Sequence, residues 1–169
     1  MFLEYYLSSD YRADGNYDRF HDYGLQYTPT VCFNGRQNVA VGADSYDKYK
    51  SRVDSEKANG TSIAITAVKT VSGSKTTIDA EIQNTSASEM NDVEVWFAVY
   101  DDLGSSLKHY VVRALESGGT IDTMSAGETR SFSQDFDLLD ANMPNVEAVV
   151  FLQNTDSKTM EVIQVALAT

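Results

Sequence analysis

The 169-residue chain has one cysteine, two prolines, one tryptophan and two histidines, and only 13 basic side chains against 25 acidic ones. Each scarcity closes a class of function. A single thiol, Cys32, leaves no intramolecular disulfide, no CxxC redox centre and no thiolate metal cage. A formal net charge of -12 and a pI near 4.4 argue against nucleic acid, whose phosphates are met by clustered Lys and Arg. No run approaches the roughly 18 consecutive apolar residues of a membrane span. Nor does the N-terminus show the basic-then-apolar order of a signal peptide. A Gly-rich phosphate loop, a nucleophile elbow and HExxH are also missing, so no catalytic constellation presents itself. What is there, 42% apolar residues with a mean hydropathy of -0.32, suits a folded chain rather than a disordered one.

Charge and tyrosine divide the sequence near residue 58. Residues 1–57 hold 9 acids and 7 bases, and residues 58–169 hold 16 and 6. Eight tyrosines lie in the first stretch, and only Tyr100 and Tyr110 in the second. Asn59-Gly60 is a turn dipeptide at the join. The domains expected are therefore 1–57 and 58–169.

The second stretch reads as strands. Ile63 and Ile65 alternate with small or polar neighbours, as do Ile78, Ala80 and Ile82. Residues 93–100 are β-branched and aromatic, with Val93, Val95, Phe97 and Val99 on one face and Trp96 on the other, near an edge or rim. Further strands are expected around residues 110–112, 132–136, 146–152 and 162–167. Turn signals separate them, among them Ser72-Gly73-Ser74, Gly118-Gly119 and Asn154-Thr155-Asp156. About seven short strands spaced in this way predict an antiparallel β-sandwich of immunoglobulin or fibronectin-III type.

The first stretch mixes periods. Residues 2–7 look like a strand. Asn16 is placed as the cap of a helix with Tyr17, Phe20 and Tyr23 on its apolar face and Gly24 ending it. Thr30-Val31-Cys32-Phe33, Asn34-Gly35 and Asn38-Val39-Ala40-Val41 form a hairpin signature. A second helix over residues 44–57 carries Tyr46, Tyr49 and Val53 along one stripe.

The run Tyr23-Gly24-Leu25-Gln26-Tyr27-Thr28-Pro29-Thr30-Val31-Cys32-Phe33-Asn34-Gly35 resembles the second half of a thioredoxin-fold protein. There a Thr-Pro peptide opens a strand that ends at an Asn-Gly or Asp-Gly hairpin. The resemblance covers about a third of the chain. It implies an α+β fold: a partial thioredoxin-like β-α-β-β-α unit joined to a sandwich of about seven strands. It also implies a cis Thr28–Pro29 bond, and a peptide-binding role for Thr28 and Pro29 through the adjoining backbone. The closing residues 146–154 and 161–164 are similar to the end of bacterial envelope proteins that pair such a unit with a sandwich, which implies an extracytoplasmic location. The unit bearing the family's dithiol is missing, and Cys32 lies inside a strand where it reads as a small buried hydrophobe. That gap predicts unpaired strand edges, a piece of a longer protein, and a homodimer completing the sheet.

Other candidates are weaker. Asp10, Asp14, Gly15 and Asp18 match an EF-hand loop, but Arg12 and His21 occupy liganding positions. Among the acidic turns, Asp101 and Asp102 are the residues placed against calcium, and no other cofactor is expected. Asn59-Gly60-Thr61 and Asn84-Thr85-Ser86 match the glycosylation acceptor pattern. The function expected is non-catalytic binding of a protein or peptide. The alternatives are a fragment of a thiol-disulfide oxidoreductase whose CxxC lies upstream, and a carbohydrate-binding or adhesion sandwich using Trp96.

Overall fold

A computed structural model of the chain describes residues 3–7, 11–103, 109–138 and 146–169. Helix α1 spans Asn16–Asp22, strands β1 and β2 span Thr30–Cys32 and Val39–Val41, and helix α2 spans Tyr46–Lys57. Then come β3 Ile63–Ser72, β4 Lys75–Asn84, β5 Met90–Asp101, β6 Val111–Met124, β7 Thr129–Asp137, β8 Val146–Asn154 and β9 Val162–Ala168. Of the described residues 51% lie in strands and 12% in helices.

The expectation of an α+β thioredoxin-like unit beside an antiparallel sandwich is overturned by the strand pairing. Strands β3 to β9 make one mixed, nearly closed sheet in the order β6-β5-β8-β9-β3-β4-β7, and β1 pairs with β2 alone. Of residues 2–7, Phe2 lies outside the described residues. The rest form no strand beyond a single parallel bridge of Glu4 to Val111. A lone bridge fixes few backbone groups, so this segment is held by its side chains instead. The mixed character arises where β3 runs parallel to β9, joined at Ala67 and Ala168.

Alternation in the sequence sets the interior. Val93, Val95, Phe97 and Val99 of β5 face Ile78 and Ile82 of β4, Ile121 of β6, and Val150 and Leu152 of β8 in one buried cluster. Every second residue of a strand reaches the same face, so this alternation fills the space inside the curved sheet. Strand β8, like the second half of β5, breaks the rule. Its run Ala148-Val149-Val150-Phe151-Leu152-Gln153 is buried throughout, because its outer face is covered as well. There Ala98, Tyr100, Val112, Leu115, Val149 and Phe151 form a second apolar cluster, on which Leu3, Tyr5 and Trp96 pack.

Two local expectations change. Gly118-Gly119 is a bulge inside β6 rather than a turn: Val95 pairs with Gly119, Trp96 pairs with Ser117, and Gly118 is left over. A Cβ at Gly118 would enter the ring of Phe97, and Gly119 has φ +109, so both positions require glycine. In α1 the cap is Gly15, with φ +83, and Asn16 is the first helical residue and fully buried. The buried side is Asn16 and Arg19, while Tyr17 stands 53% exposed.

Candidate functional site

The two stretches of chain meet at a polar cluster centred on Arg19. α1 lies across the outer face of β5 and β8, and its i, i+3 pair Asn16 and Arg19 points inward. Arg19 is 7% exposed, with its guanidinium 4.5 Å from the Trp96 ring, 4.9 Å from Tyr23 and 5.6 Å from Phe151. Its Nη2 donates to Gln153 Oε1 at 2.6 Å and to the Tyr23 hydroxyl at 3.2 Å. Gln153 Nε2 in turn donates to the Tyr23 hydroxyl at 2.6 Å and to the Met160 carbonyl at 2.5 Å. No carboxylate pairs with Arg19 among the described residues, so the aromatic faces and the bonds to the Gln153 amide oxygen and the Tyr23 hydroxyl carry its charge. Burial pushes the Tyr5 phenol up to about 12 despite the nearby guanidinium, and Tyr5 is uncharged at neutral pH. Trp96, expected near a rim, is stacked on Phe151 with ring centroids 6.4 Å apart. Arg19 occupies the indole face that a sugar ring would use.

The hairpin of β1 and β2 is fixed at its tip and along one side. Gly35 has φ +124, and a Cβ there would lie 2.6 Å from the Thr159 carbonyl oxygen and 2.8 Å from that of Met160. This close approach lets the Arg36 amide donate to the Thr159 carbonyl at 2.8 Å and the Arg36 guanidinium reach the Ser157 carbonyl. Helix α2 braces the hairpin with only one residue of the expected stripe, Tyr49. Tyr46 is 76% exposed and Val53 45%, whereas Tyr49, Arg52 and Glu56 make the contacts. Tyr49 meets Phe33, Arg52 Nη1 donates to Asn38 Oδ1 at 2.7 Å and to the Val39 carbonyl at 3.1 Å, and Glu56 accepts from Asn38 Nδ2 at 2.8 Å.

Strand β1 has an open edge. Phe33 N–H donates to Asn38 and Gly42 N–H to Pro29, so positions 29, 31 and 33 face β2. The alternation of an antiparallel pair then turns the N–H and C=O groups of Thr30 and Cys32 outward. Among the described residues those groups have no backbone partner. Thr28 and Pro29 precede this edge, both exposed and joined by a cis bond. Tyr27 at 65% and Val41 at 64% exposure stand beside them. Cys32 is half-buried, and burial raises its thiol pKa, which disfavours the thiolate needed for nucleophilic or redox work.

The remaining candidates lie apart from this edge. Asp101 is 3% exposed at the end of β5, and burial raises its carboxyl pKa. Asp102 pairs with His109 Nδ1 at 2.8 Å. Among the described residues no three His, Cys, Asp or Glu side chains converge as metal ligands. Of the EF-hand pattern, Asp10 lies outside the described residues, and Arg19 and Asn16 within it serve the seam. Asn84 is fully buried, its Nδ2 donating to the carbonyls of Ser88, Met124 and Ser125, whereas Asn59 is exposed. A shallow depression of about 440 Å³ on the outer face of β3, β4 and β7 is lined by Thr66, Val68, Asp79, Glu81, Ser131 and Ser133.

The Arg19 cluster was missed because its members lie 134 positions apart in sequence. The signal that points to it is the unbroken apolar run of β8, which requires cover on both faces.

No protein-family model matches the chain, and no curated protein is similar to it. Among solved structures it is similar to HBP35 of Porphyromonas gingivalis at TM-score 0.62 and 12% identity, over 90% of this chain and 57% of that one. A domain of the outer membrane lipoprotein Omp28 from the same organism matches at TM-score 0.47 and 16% identity, over 64% of this chain and 88% of that one. The Pseudomonas fluorescens alkylpurine DNA glycosylase AlkC matches at TM-score 0.43 and 13% identity, over 70% of this chain and 32% of that one. The chain thus spans about a third of AlkC and little more than half of HBP35. At these identities the likeness to HBP35 is one of fold.

Proposed function

We propose that the chain is a non-catalytic, extracytoplasmic binding protein that takes up an extended segment of a protein or peptide partner along β1. The observation that carries this reading is the outward row of N–H and C=O groups at Thr30 and Cys32. An extended strand satisfies such groups with main-chain hydrogen bonds, and flanking side chains then select the partner. Thr28 and Pro29 stand at the start of that row, and Tyr27 and Val41 supply apolar contact. The extracytoplasmic assignment rests on the resemblance of residues 146–154 and 161–164 to bacterial envelope proteins. The raised thiol pKa of Cys32 supports a non-catalytic reading of this strand.

Amide NMR of the labelled chain against a library of extended heptapeptides tests the proposal. Binding is expected to shift the Thr30 and Cys32 amides, and N-methylation of the peptide at alternate residues should abolish the shift. If no library member moves these two amides, the reading fails. Sedimentation over a concentration series separates a second copy from a foreign peptide. Self-association accompanied by the same two amide shifts identifies the partner as another copy of this chain.

A further inference from the structure

Two Asn-Gly dipeptides, Asn34-Gly35 and Asn59-Gly60, occur in the chain, and the structure treats them in opposite ways. Asn-Gly is the pair in which the following backbone nitrogen most readily reaches the asparagine side chain, since glycine puts no Cβ in the way. At Asn34 that rearrangement is blocked. The residue is held at φ +57, and its carbonyl accepts from Val162 N–H at 3.3 Å. Gly35 is hemmed by the backbone of residues 159–161. At Asn59 the backbone leaves the approach open, and the side-chain amide is held only by its bond to Glu56 Oε2 at 3.3 Å. Asn59 and Gly60 are both exposed in the link between α2 and β3, and a Cβ built on Gly60 meets no atom within 4 Å. The Gly60 amide has no hydrogen-bond partner among the described residues.

We propose that Asn59 is a site of spontaneous deamidation, and that its product loosens the clamp between α2 and the hairpin. The deprotonated Gly60 nitrogen attacks Cγ of Asn59. The new N–Cγ bond forms as the Cγ–Nδ2 bond breaks, and ammonia leaves with a proton taken from water. Water then opens the succinimide at either carbonyl, giving aspartate or isoaspartate, with no oxidant or reductant involved. The product matters because of Glu56. Its carboxylate accepts from three asparagine amides: Asn38 at 2.8 Å, Asn59 at 3.3 Å and Asn34 at 3.5 Å. Deamidation removes one of these donors and sets a second carboxylate beside Glu56, the group that ties α2 to both sides of the hairpin loop. The inference is independent of the docking role assigned to β1.

The folded chain, incubated at mildly alkaline pH and mapped by peptide mass spectrometry, supplies the test. The mass increment of an amide-to-acid change is expected on the peptide holding Asn59. On the peptide holding Asn34 it should form more than about tenfold more slowly, the ratio imposed by an opening cost of about 1.4 kcal/mol. In urea the two sites should react at similar rates. Equal rates in the folded chain, or no product at Asn59, overturn the site. For the clamp, Asn59→Asp is expected to speed hydrogen exchange of the Val31 and Ala40 amides about twofold or more, the scale of a like-charge pair on a helix surface. Asn59→Gln keeps the charge neutral and should leave exchange unchanged. Identical exchange in the two variants overturns the coupling to the hairpin.

Discussion

At the scale of single residues, two positions hold the N-terminal stretch on the sheet, and they do so by different physics. Gly35 acts through the absence of a side chain. Gly35→Ala places a methyl group against two backbone carbonyls that cannot swing aside, at a backbone angle L-residues avoid. We expect a loss of about 2–3 kcal/mol, read as a lower melting temperature; a melting temperature equal to the parent's would show that the tip does not bear on Thr159. Arg19 acts through what it covers. Arg19→Ala removes a desolvated cation from the Trp96 ring and leaves Gln153 Oε1 without its donor, for a loss of roughly 2–4 kcal/mol. Because Trp96 is the sole tryptophan, the same variant should red-shift the native emission. An unchanged emission maximum would mean that water does not enter the space Arg19 vacates.

At the scale of elements, legibility followed periodicity. Strands β3, β4 and β7 alternate along their length, β5 does so only up to Phe97, and residues 93, 95, 97 and 99 face the core. The α+β assignment failed because turn and cap signals report local backbone shape and not which strands pair. Thr28-Pro29 and Asn34-Gly35 mark a hairpin correctly, yet nothing in them says that the hairpin stands as a separate two-stranded sheet. The Arg19 cluster was not foreseeable, since a buried arginine on a short helix reads as surface charge. Gly118-Gly119 shows the same ambiguity: paired glycines mark a turn or a bulge equally well. The bulge has a consequence for β6. Gly118→Ala should displace the Phe97 ring and cost about 1–3 kcal/mol in denaturant unfolding, whereas Gly73→Ala, which meets no atom within 4 Å, should show only the smaller cost of its positive φ. Equal losses at the two glycines would argue against the Phe97 contact.

At the scale of the whole molecule, stability responds to pH through two opposed sets of carboxyls. Asp44, Glu128 and Asp135 have pKa values lowered, first of all by hydrogen bonds from Lys48, Arg130 and Lys75 respectively, and the stability they add disappears as pH falls through those lowered values. They are exposed, so salt screens them. Asp101 and Glu4 work the other way. Burial raises both, the native state holds their protons more readily than the unfolded chain, and their contribution improves as pH falls through the raised values. Asp101→Asn should therefore melt above the parent at neutral pH. Its advantage should shrink as pH drops through the raised value towards the ordinary aspartate 3.8, where the parent carboxyl is itself neutral. A difference independent of pH would place the effect outside titration.

The seam also fixes an order of events in time. Arg19 is bound to Gln153, a partner 134 residues further along, on a strand whose neighbours β5 and β9 lie on either side of it in the sequence. On the ribosome the tyrosine-rich stretch 3–57 is made before β8, the strand that completes its landing surface. Until β8 emerges, the face meant for Val149 and Phe151 stays uncovered, and neither Leu3 nor Tyr5 has its full place to rest. The chain completes these contacts only once β8 has emerged, which makes the interval before then the time at which a holding chaperone would matter most.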